Sequence, residues 1–314
     1  MLRTVKPTEK HKAINILLRN LKLLVLRTFL VNFLPDETCI KWRYTSKTGR
    51  KLDISEPKTF NEKLQWLKLH DHRPEYSRYV DKYAVREFIA DTVGSEYLIP
   101  LIGVYDTVDS IPFESLPNAF VLKCTHDSGS VFICKDKTLM DLAATKKALQ
   151  KALRKNLYWK TREWPYKQVK PRIICEKYME DESGYELKDY KIFCFSGQPK
   201  FIQVDFNRFS NHTRNMYDLD WNLIPFTIKY PNDPNTVITK PLQLEKMIEI
   251  ASKLSQGIPH LRVDLYSIND KIYFGEMTLY HGSGNEIFTP DSYELLLGSW
   301  INLPKPTNGK GKHE

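Results

Sequence analysis

The chain has 314 residues, 41% of them hydrophobic, and 47 Lys and Arg against 38 Asp and Glu give it a net charge of +9. That balance excludes a disordered or low-complexity polymer and leaves a soluble globular protein of two or three interlocked subdomains. It favours anionic partners: nucleotides, acidic sugars, nucleic acid or an anionic membrane surface. Cys39, Cys124, Cys134, Cys175 and Cys194 form no C-x-x-C pair and no zinc spacing, so a reduced, cytoplasmic setting is expected.

Residues 13 to 34 are the most apolar window, but Arg19, Lys22 and Arg27 interrupt it and make it a poor spanning helix. No small-residue cleavage site follows, which argues against a secretory signal. Asn15, Arg19 and Lys22 share one side of a helical wheel. The stretch reads as a basic amphipathic helix on the inner membrane surface, or as a helix packed on the protein's own core with its polar stripe outward.

Thr59 with Glu62 three residues on is a capping box, and Leu64, Trp66, Leu67 and Leu69 supply apolar positions to the helix it opens. A second helix is expected from Tyr76 to Ala90, with Asp81, Lys82 and Arg86 left for polar work. Ala119 to Lys135 reads as strand, short polar loop and strand. The loop from Thr125 to Ser130 holds Gly129 and small polar side chains, so its N–H groups can turn toward a phosphate, and Lys123 faces away from the apolar Leu122. Ser-Gly tips are also common in hairpins that bind nothing.

A basic helix, Leu139 to Leu157, leads to a buried strand, Arg172 to Met179, whose end is able to present backbone groups to a flat base. A hairpin follows, Asp189 to Phe195 and Lys200 to Val204, with Asp189 and Lys191 on one face. Arg208, Arg214 and Asp218 lie in the polar region beyond. The helix Pro241 to Ser255 turns Leu244, Met247, Ile248, Ala251 and Leu254 to one side. The last ten residues, 305 to 314, are polar and expected to be disordered.

Leu261 to Gly284 carries the sharpest signal. Leu261, Val263 and Leu265 alternate with Arg262 and Asp264, and Asn269-Asp270 offers turn chemistry before Ile272 to Met277. A three-residue loop, Asn269-Asp270-Lys271, places Asp264 opposite Glu276 and Arg262 opposite Thr278. A two-residue loop pairs Asp264 with Gly275 instead. Facing carboxylates destabilise a sheet unless a cation lies between them, and a magnesium site is the expectation; two exposed acids on a solvated face are the alternative. The many short turns between strands indicate α+β architecture rather than a doubly wound parallel sheet.

In order, PKTFNEKLQWLKL, DKYAVREF, VLKCTHDSGSV, IICEKYM, DYKIFCFSGQPKFIQVD and RVDLY with IYFGEMT resemble the TupA-like branch of the ATP-grasp superfamily, over roughly residues 35 to 303. The resemblance implies a fold that clamps ATP between two α+β subdomains. The expected division is a basic amphipathic helix at 1 to 34, a helical and α+β region at 35 to 117, a small ATP-grasp subdomain at 118 to 180, a C-terminal subdomain with the metal hairpin at 181 to 303, and a tail at 304 to 314. It implies ATP and Mg2+ as cofactors and no nucleic-acid partner. Lys82 is similar to the N-terminal ATP-contacting lysine, Lys123 to the lysine on the α- and β-phosphates, and Ser128, Gly129 and Ser130 to the loop that covers them. Glu176 and the backbone of Lys177 to Met179 resemble the adenine hinge, and Asp189, with Lys191 beside it, the ribose-binding acid. Asp264 and Glu276 resemble the metal ligands and Arg262 the arginine that stabilises the transferring phosphoryl group. The chain departs from the Glu-x-Asn pattern of many ATP-grasp ligases, because Thr278 stands where Asn is usual, and its hydroxyl is the weaker oxygen ligand.

The activity implied is ATP-dependent carboxylate–amine ligation in surface-polysaccharide synthesis. The acyl donor is expected to be a uronic acid of an anionic glycan or a lipid-linked sugar, and the acceptor an amino acid or peptide amine. Arg208, Arg214, His281, Ser283 and Asn285 are the substrate-side candidates. Three rivals stand beside this reading: a glycosyltransferase using the D-x-D triplet Asp218-Leu219-Asp220, a sugar kinase on the same ATP site, and a non-enzymatic membrane-bound scaffold.

Overall fold

The computed structural model describes residues 21, 29 to 181, 187 to 207, 211 to 236 and 238 to 306. Most of the basic window at 13 to 34, Arg208, and the tail beyond residue 306 therefore lie outside the described residues.

Helices open the described chain: α1 (Asp36–Thr48), α2 (Phe60–His70), α3 (Glu75–Val80) and α4 (Val85–Thr92). The capping box is formed as expected. Thr59 Oγ1 accepts from the Glu62 N–H at 3.3 Å, and Glu62 Oε2 accepts from the Thr59 N–H at 3.0 Å. Thr59→Ala should lower stability by about 1 kcal/mol in urea unfolding, the usual worth of such a cap; an unchanged midpoint would show that packing alone holds the start of α2.

The helix expected from Tyr76 to Ala90 is two helices. Asp81 breaks it: its Oδ1 accepts from the N–H groups of Tyr83 at 2.8 Å and Ala84 at 3.2 Å, and its Oδ2 holds Arg172 at 2.9 Å. A short acidic side chain that bonds its own downstream backbone competes with the helical ladder, and here it wins because a tertiary cation fixes it.

A four-stranded antiparallel sheet follows, built from β1 (Leu101–Tyr105), β2 (Phe120–Cys124), β3 (Val131–Cys134) and β4 (Ile173–Lys177) in the order β1-β4-β2-β3. The sheet draws on residues 101 to 177, because β1 reaches back upstream of residue 118 to pair with β4. Its apolar face, with Phe120, Leu122 and Cys175, meets Leu149 and Ala152 of α5 (Leu142–Leu153). The basic helix is thus shorter than expected, and a separate turn of helix, α6 (Leu157–Thr161), starts after the Asn156 cap.

The larger sheet holds β5 (Asp189–Phe195), β6 (Gln198–Phe206), β7 (Thr213–Tyr217) and β8 (Leu223–Ile224), with β10 (Leu261–Ile268) and β11 (Lys271–Thr278) after β9 (Thr227–Ile228) and α7 (Leu244–Leu254). Its order is β11-β10-β5-β6-β7-β8. Leu244, Met247, Ile250, Ala251 and Leu254 of α7 are buried in the same core as Ile192, Ile202 and Val263. Ile250 takes the place expected for Ile248, which is half-buried. A small pair, β9 with β12 (Phe288–Thr289), and the last helix α8 (Asp291–Trp300) complete an α+β architecture with two antiparallel sheets. All five cysteines are free and buried.

Candidate active site

The two faces of the larger sheet differ. Val263 pairs with Ile192 and Ile192 with Ile202, all facing the core. The other face carries a cross-strand row of polar residues, Glu276 opposite Asp264, Asp264 opposite Lys191 and Lys191 opposite Gln203. Buried polar side chains persist when they satisfy one another, and the charged members of this row do so through ion pairs, while Gln203 Nε2 donates to Asp205 Oδ2 at 3.1 Å.

The acids face each other by a different route from the one the turn chemistry suggested. The loop has two residues, with Asn269 at φ +48° and Asp270 at φ +58°, the left-handed pair of a tight hairpin, so Ile268 pairs with Lys271 rather than Ile272. Continued regularly, that register sets Asp264 against Gly275. A bulge between the pairs Leu265–Phe274 and Asp264–Glu276 inserts Gly275 as the extra residue and restores the acid pair. A side chain there would be crowded, since a Cβ would lie 3.0 Å from the Asp264 carbonyl and 3.1 Å from the Tyr266 ring.

The cation between the acids is Arg262. Its Nε and Nη2 donate to the two oxygens of Asp264, each at 2.7 Å, and Nη2 also donates to Glu276 Oε1 at 2.7 Å. Thr278 Oγ1 donates to the same Glu276 oxygen at 2.8 Å. The expectation that facing carboxylates need a neutralising charge therefore holds, and the guanidinium supplies it here. Lys191 Nζ reaches Asp189 Oδ2 at 2.7 Å, Asp264 Oδ2 at 3.5 Å and Asp205 Oδ2 at 3.7 Å. Asp189, expected on a ribose, is thus tied to Lys191.

Lys82 and the smaller sheet close over this floor. The helix break at Asp81 lets the Lys82 N–H donate to the Thr125 carbonyl at 3.1 Å, while its Nζ donates to the Asp127 carbonyl. Lys82 also lines a small cleft with Glu276 and Gly275. Lys123 Nζ donates to Glu176 Oε2 at 2.7 Å, and Arg86 Nη1 to Glu176 Oε1 at 3.0 Å. The Glu176 carboxylate is therefore engaged by two cations, and the Lys177 N–H is spent on the Pro100 carbonyl at 2.9 Å. Of the expected adenine hinge, Met179 lies just beyond the end of β4. The loop Ser128-Gly129-Ser130 is placed beside Lys82; Gly129 has φ +101° with open space about it, and Ser130 Oγ donates to Asp127 Oδ2.

The substrate-side candidates that fall among the described residues are held by the protein. Arg214 is buried, with Nε on Asp205 Oδ1 at 2.6 Å and Nη1 on the Ile228 carbonyl at 3.0 Å. Ser283 and Asn285 form a turn clasped by α2: Lys68 Nζ donates to Ser283 Oγ at 2.8 Å, and Gln65 Nε2 to Asn285 Oδ1 at 3.2 Å. His281 Nδ1 accepts from Arg262 Nη1 at 2.8 Å, and its Nε2 lies 3.1 Å from Glu286 Oε2. Because arginine only donates, the ring proton sits on Nε2. Of these side chains, His281 touches the arginine that bridges the acid pair. Asp218 of the D-x-D triplet accepts from the N–H groups of Asp220 at 3.0 Å and Asn222 at 2.7 Å, so it closes its own turn.

Sequence reasoning passed over Asp127 and Glu286 and left Arg86 for polar work without a partner. Arg86 lies one helical turn from Lys82, and Asp127 sits within the loop already singled out, so both signals were local. Glu286 had none, because its partners Arg214 and His281 come from separate elements.

Burial would raise the Glu276 carboxyl, but Arg262 and Lys82 outweigh it and hold it below its ordinary value. Burial lowers the Lys82 ammonium. Burial also pushes His281 down to about 4 and His260 down to about 3, against 6.5 when unfolded, so both rings are neutral in the native state. The unfolded chain takes up protons below pH 6.5 that the folded chain refuses. Stability should be complete above pH 6.5 and fall by on the order of 2–5 kcal/mol by pH 4.5, read as urea midpoints across that range. A flat profile would mean that the two rings are hydrated in the native state.

A family model described as TupA-like ATPgrasp matches residues 62–302. The chain belongs to the TupA-like ATP-grasp family. Members of the ATP-grasp superfamily are ATP-dependent ligases, and ATP with Mg2+ is their cofactor pair. Among solved structures the chain is similar to D-alanine–D-alanine ligase from Bacillus anthracis, at 16% identity and TM-score 0.38, covering 64% of this chain and 57% of that one. It is also similar to phosphoribosylamine–glycine ligase from Thermotoga maritima, at 12% identity and TM-score 0.40 over 65% and 48%. A third is D-cycloserine synthetase DcsG, at 17% identity and TM-score 0.38 over 70% and 68%. The chain thus spans less than two thirds of the length of the first two. No curated protein matches the sequence.

The residues present fit magnesium. Asp264, Glu276 and the Thr278 hydroxyl are hard oxygen donors on one hairpin, and Glu276 has a side chain 43% exposed where that of Asp264 is 5% exposed. Among the described residues no group of three or more His, Cys, Asp or Glu is arranged to hold a metal unaided. Magnesium commonly takes one or two carboxylates and completes its shell with phosphate and water.

Proposed function

We propose that this TupA-like ATP-grasp protein is a carboxylate–amine ligase of surface-polysaccharide synthesis that activates an acidic sugar with ATP. The observation that carries the reading is the acid pair Asp264 and Glu276, bridged by Arg262 on a polar sheet floor that includes Lys191, with Lys82 lining the cleft beside Glu276. The substrate carboxylate attacks the γ-phosphorus in line, the bond to the β-phosphate oxygen breaks, and ADP leaves an acylphosphate. The amine then forms the amide bond as inorganic phosphate departs.

Such a transfer asks for positioning and charge rather than a protein nucleophile. Lys123, released from Glu176, and Lys82 offset phosphate charge from the side of the smaller sheet. Arg262 does so from the larger one, with Asp264 and His281 fixing its plane. The loop Ser128-Gly129-Ser130 folds over the phosphates and excludes water. Asp264, Glu276 and Thr278 would hold magnesium, which when bound neutralises charge between the β- and γ-phosphates. The adenine is assigned to the backbone of Lys177 to Met179 and the ribose to Asp189 with Lys191.

The residues in the window 13 to 34 would hold the enzyme against an anionic membrane surface, where lipid-linked sugars are met. Among the described residues no helix is long and apolar enough to cross a membrane.

Incubation with ATP, Mg2+, a panel of uronates and a panel of amino acids tests the assignment by product mass. An amide formed with one phosphate per turnover is the expected result. Consumption of ATP to give only a phosphorylated sugar would replace the ligase with a kinase.

A further inference from the structure

Away from the acid pair, a cavity of about 750 Å³ opens on the outer side of the phosphate loop. Its walls come from four separate places in the chain: Val31 and Asn32, α1, the loop from Asp127 to Ser130, and the stretch from Lys155 to Lys160 that enters α6. Neither Asp264, Glu276, Lys123 nor Glu176 lines it. That volume lies in the range of small-molecule sites, about 300–1,000 Å³, and exceeds the needs of one sugar ring.

Its charge is one-sided. Arg43, Lys47, Lys155 and Lys160 face one carboxylate, Asp127, and none of the four cations makes an ion pair among the described residues. Unpaired like charges gathered around a concavity repel one another, and they persist where an anion is to be received. Arg43 adds a second sign. Its Nε and Nη2 are shut off from solvent with no hydrogen-bond acceptor, and burial lowers its pKa. Those two nitrogens form the edge with which Arg262 grips Asp264, so a turn of the side chain into the cavity would offer a carboxylate the same fork.

Trp159, 36% exposed, also lines the cavity. Its ring is backed by the Arg162 guanidinium 5.0 Å from the centroid. An aromatic face beside cations suits a sugar ring with an acidic substituent, the ring stacking while the acid meets the lysines. Asp127 Oδ1, buried and without a partner, is an acceptor for a sugar hydroxyl.

We propose that this cavity is the binding site for an anionic sugar, which it delivers to the phosphate loop from the side opposite the nucleotide. The proposal rests on the ligase reading for its place in the reaction. Its ligand chemistry rests on the cavity alone. Asp127 and Ser128 to Ser130 form the shared wall, and Lys82, which touches the acid-pair cleft, holds the Asp127 carbonyl.

The test measures binding to the full chain by calorimetry. The probes are an oligogalacturonate, its methyl ester and glucose 1-phosphate, each with and without a saturating non-hydrolysable ATP analogue. Lys47, Lys155 and Lys160 are exposed, so the triple change to Glu should fold, and Trp159→Ala keeps the charge. A matched triple change at the exposed Lys58, Lys271 and Lys305 controls for net charge.

The site is supported if the oligogalacturonate or the sugar phosphate binds at least tenfold more weakly to both cavity variants and normally to the control. Which probe does so assigns the acid as carboxylate or phosphate. ATP-analogue affinity should be unchanged in the cavity variants. Equal binding of the methyl ester, equal loss in the control, displacement by the ATP analogue, or no binding of either acid would each overturn it. Amide formation with an unchanged KM for the uronate in the triple variant would sink this site and leave the ligase standing. Binding here without any amide product would sink the ligase and leave the site.

Discussion

Glu276→Gln is expected to cut ATP turnover by at least 100-fold while the thermal midpoint stays within a few degrees, the loss typical of removing one charged contact to a transferring phosphoryl group. The two outcomes separate because Glu276 is the more open acid, with its side chain 43% exposed. Glutamine keeps an oxygen for Thr278 and Arg262 but loses the charge. Asp264 retains both bonds from Arg262, so the floor of the sheet has no buried ion left alone. Phosphate release in steady state, with circular dichroism on the same samples, reads both quantities. Turnover near that of the native chain would remove Glu276 from the chemistry and with it the metal assignment.

Arg262→Ala should do the reverse and damage the fold first. The guanidinium satisfies both oxygens of Asp264, one of Glu276 and Nδ1 of His281, all within 2.8 Å. Asp264 is buried and burial already raises its carboxyl, opposed chiefly by Arg262 and then Lys191. Taking away one partner of such a pair leaves an uncompensated charge, which costs about 3–5 kcal/mol. Urea unfolding should show a loss of that size at pH 7. Part of it should return at a lower pH, because a proton on Asp264 removes the stranded charge. A change under 1 kcal/mol at both pH values would mean that Lys191 alone balances the acids.

The contrast locates the function physically. Arg262 holds both oxygens of the buried Asp264 and one oxygen of the more exposed Glu276. One hairpin carries both, because its bulge sets Glu276 opposite Asp264 while the Glu276 side chain stays 43% exposed.

The sequence by itself determined the elements whose signals are local. The Thr59 capping box, the β2–β3 hairpin with its small polar loop, the hydrophobic stripe of α7 and the alternation in β10 each follow from neighbours within a few residues, where period and cap chemistry decide the outcome. It also carried the family, through the order of its motifs along residues 62–302.

Tertiary structure decided what depends on distant partners. Arg172 fixes Asp81 and so ends α3 early, and Gly275 enters as a bulge because Asp264 and Lys191 hold the register from the neighbouring strand. Arg262 was brought between the acids, Glu176 was drawn to Lys123 and Arg86, and the basic cavity was assembled from segments over a hundred residues apart in part. Charges choose partners by distance in space, and a linear pattern records only which charges there are to choose from.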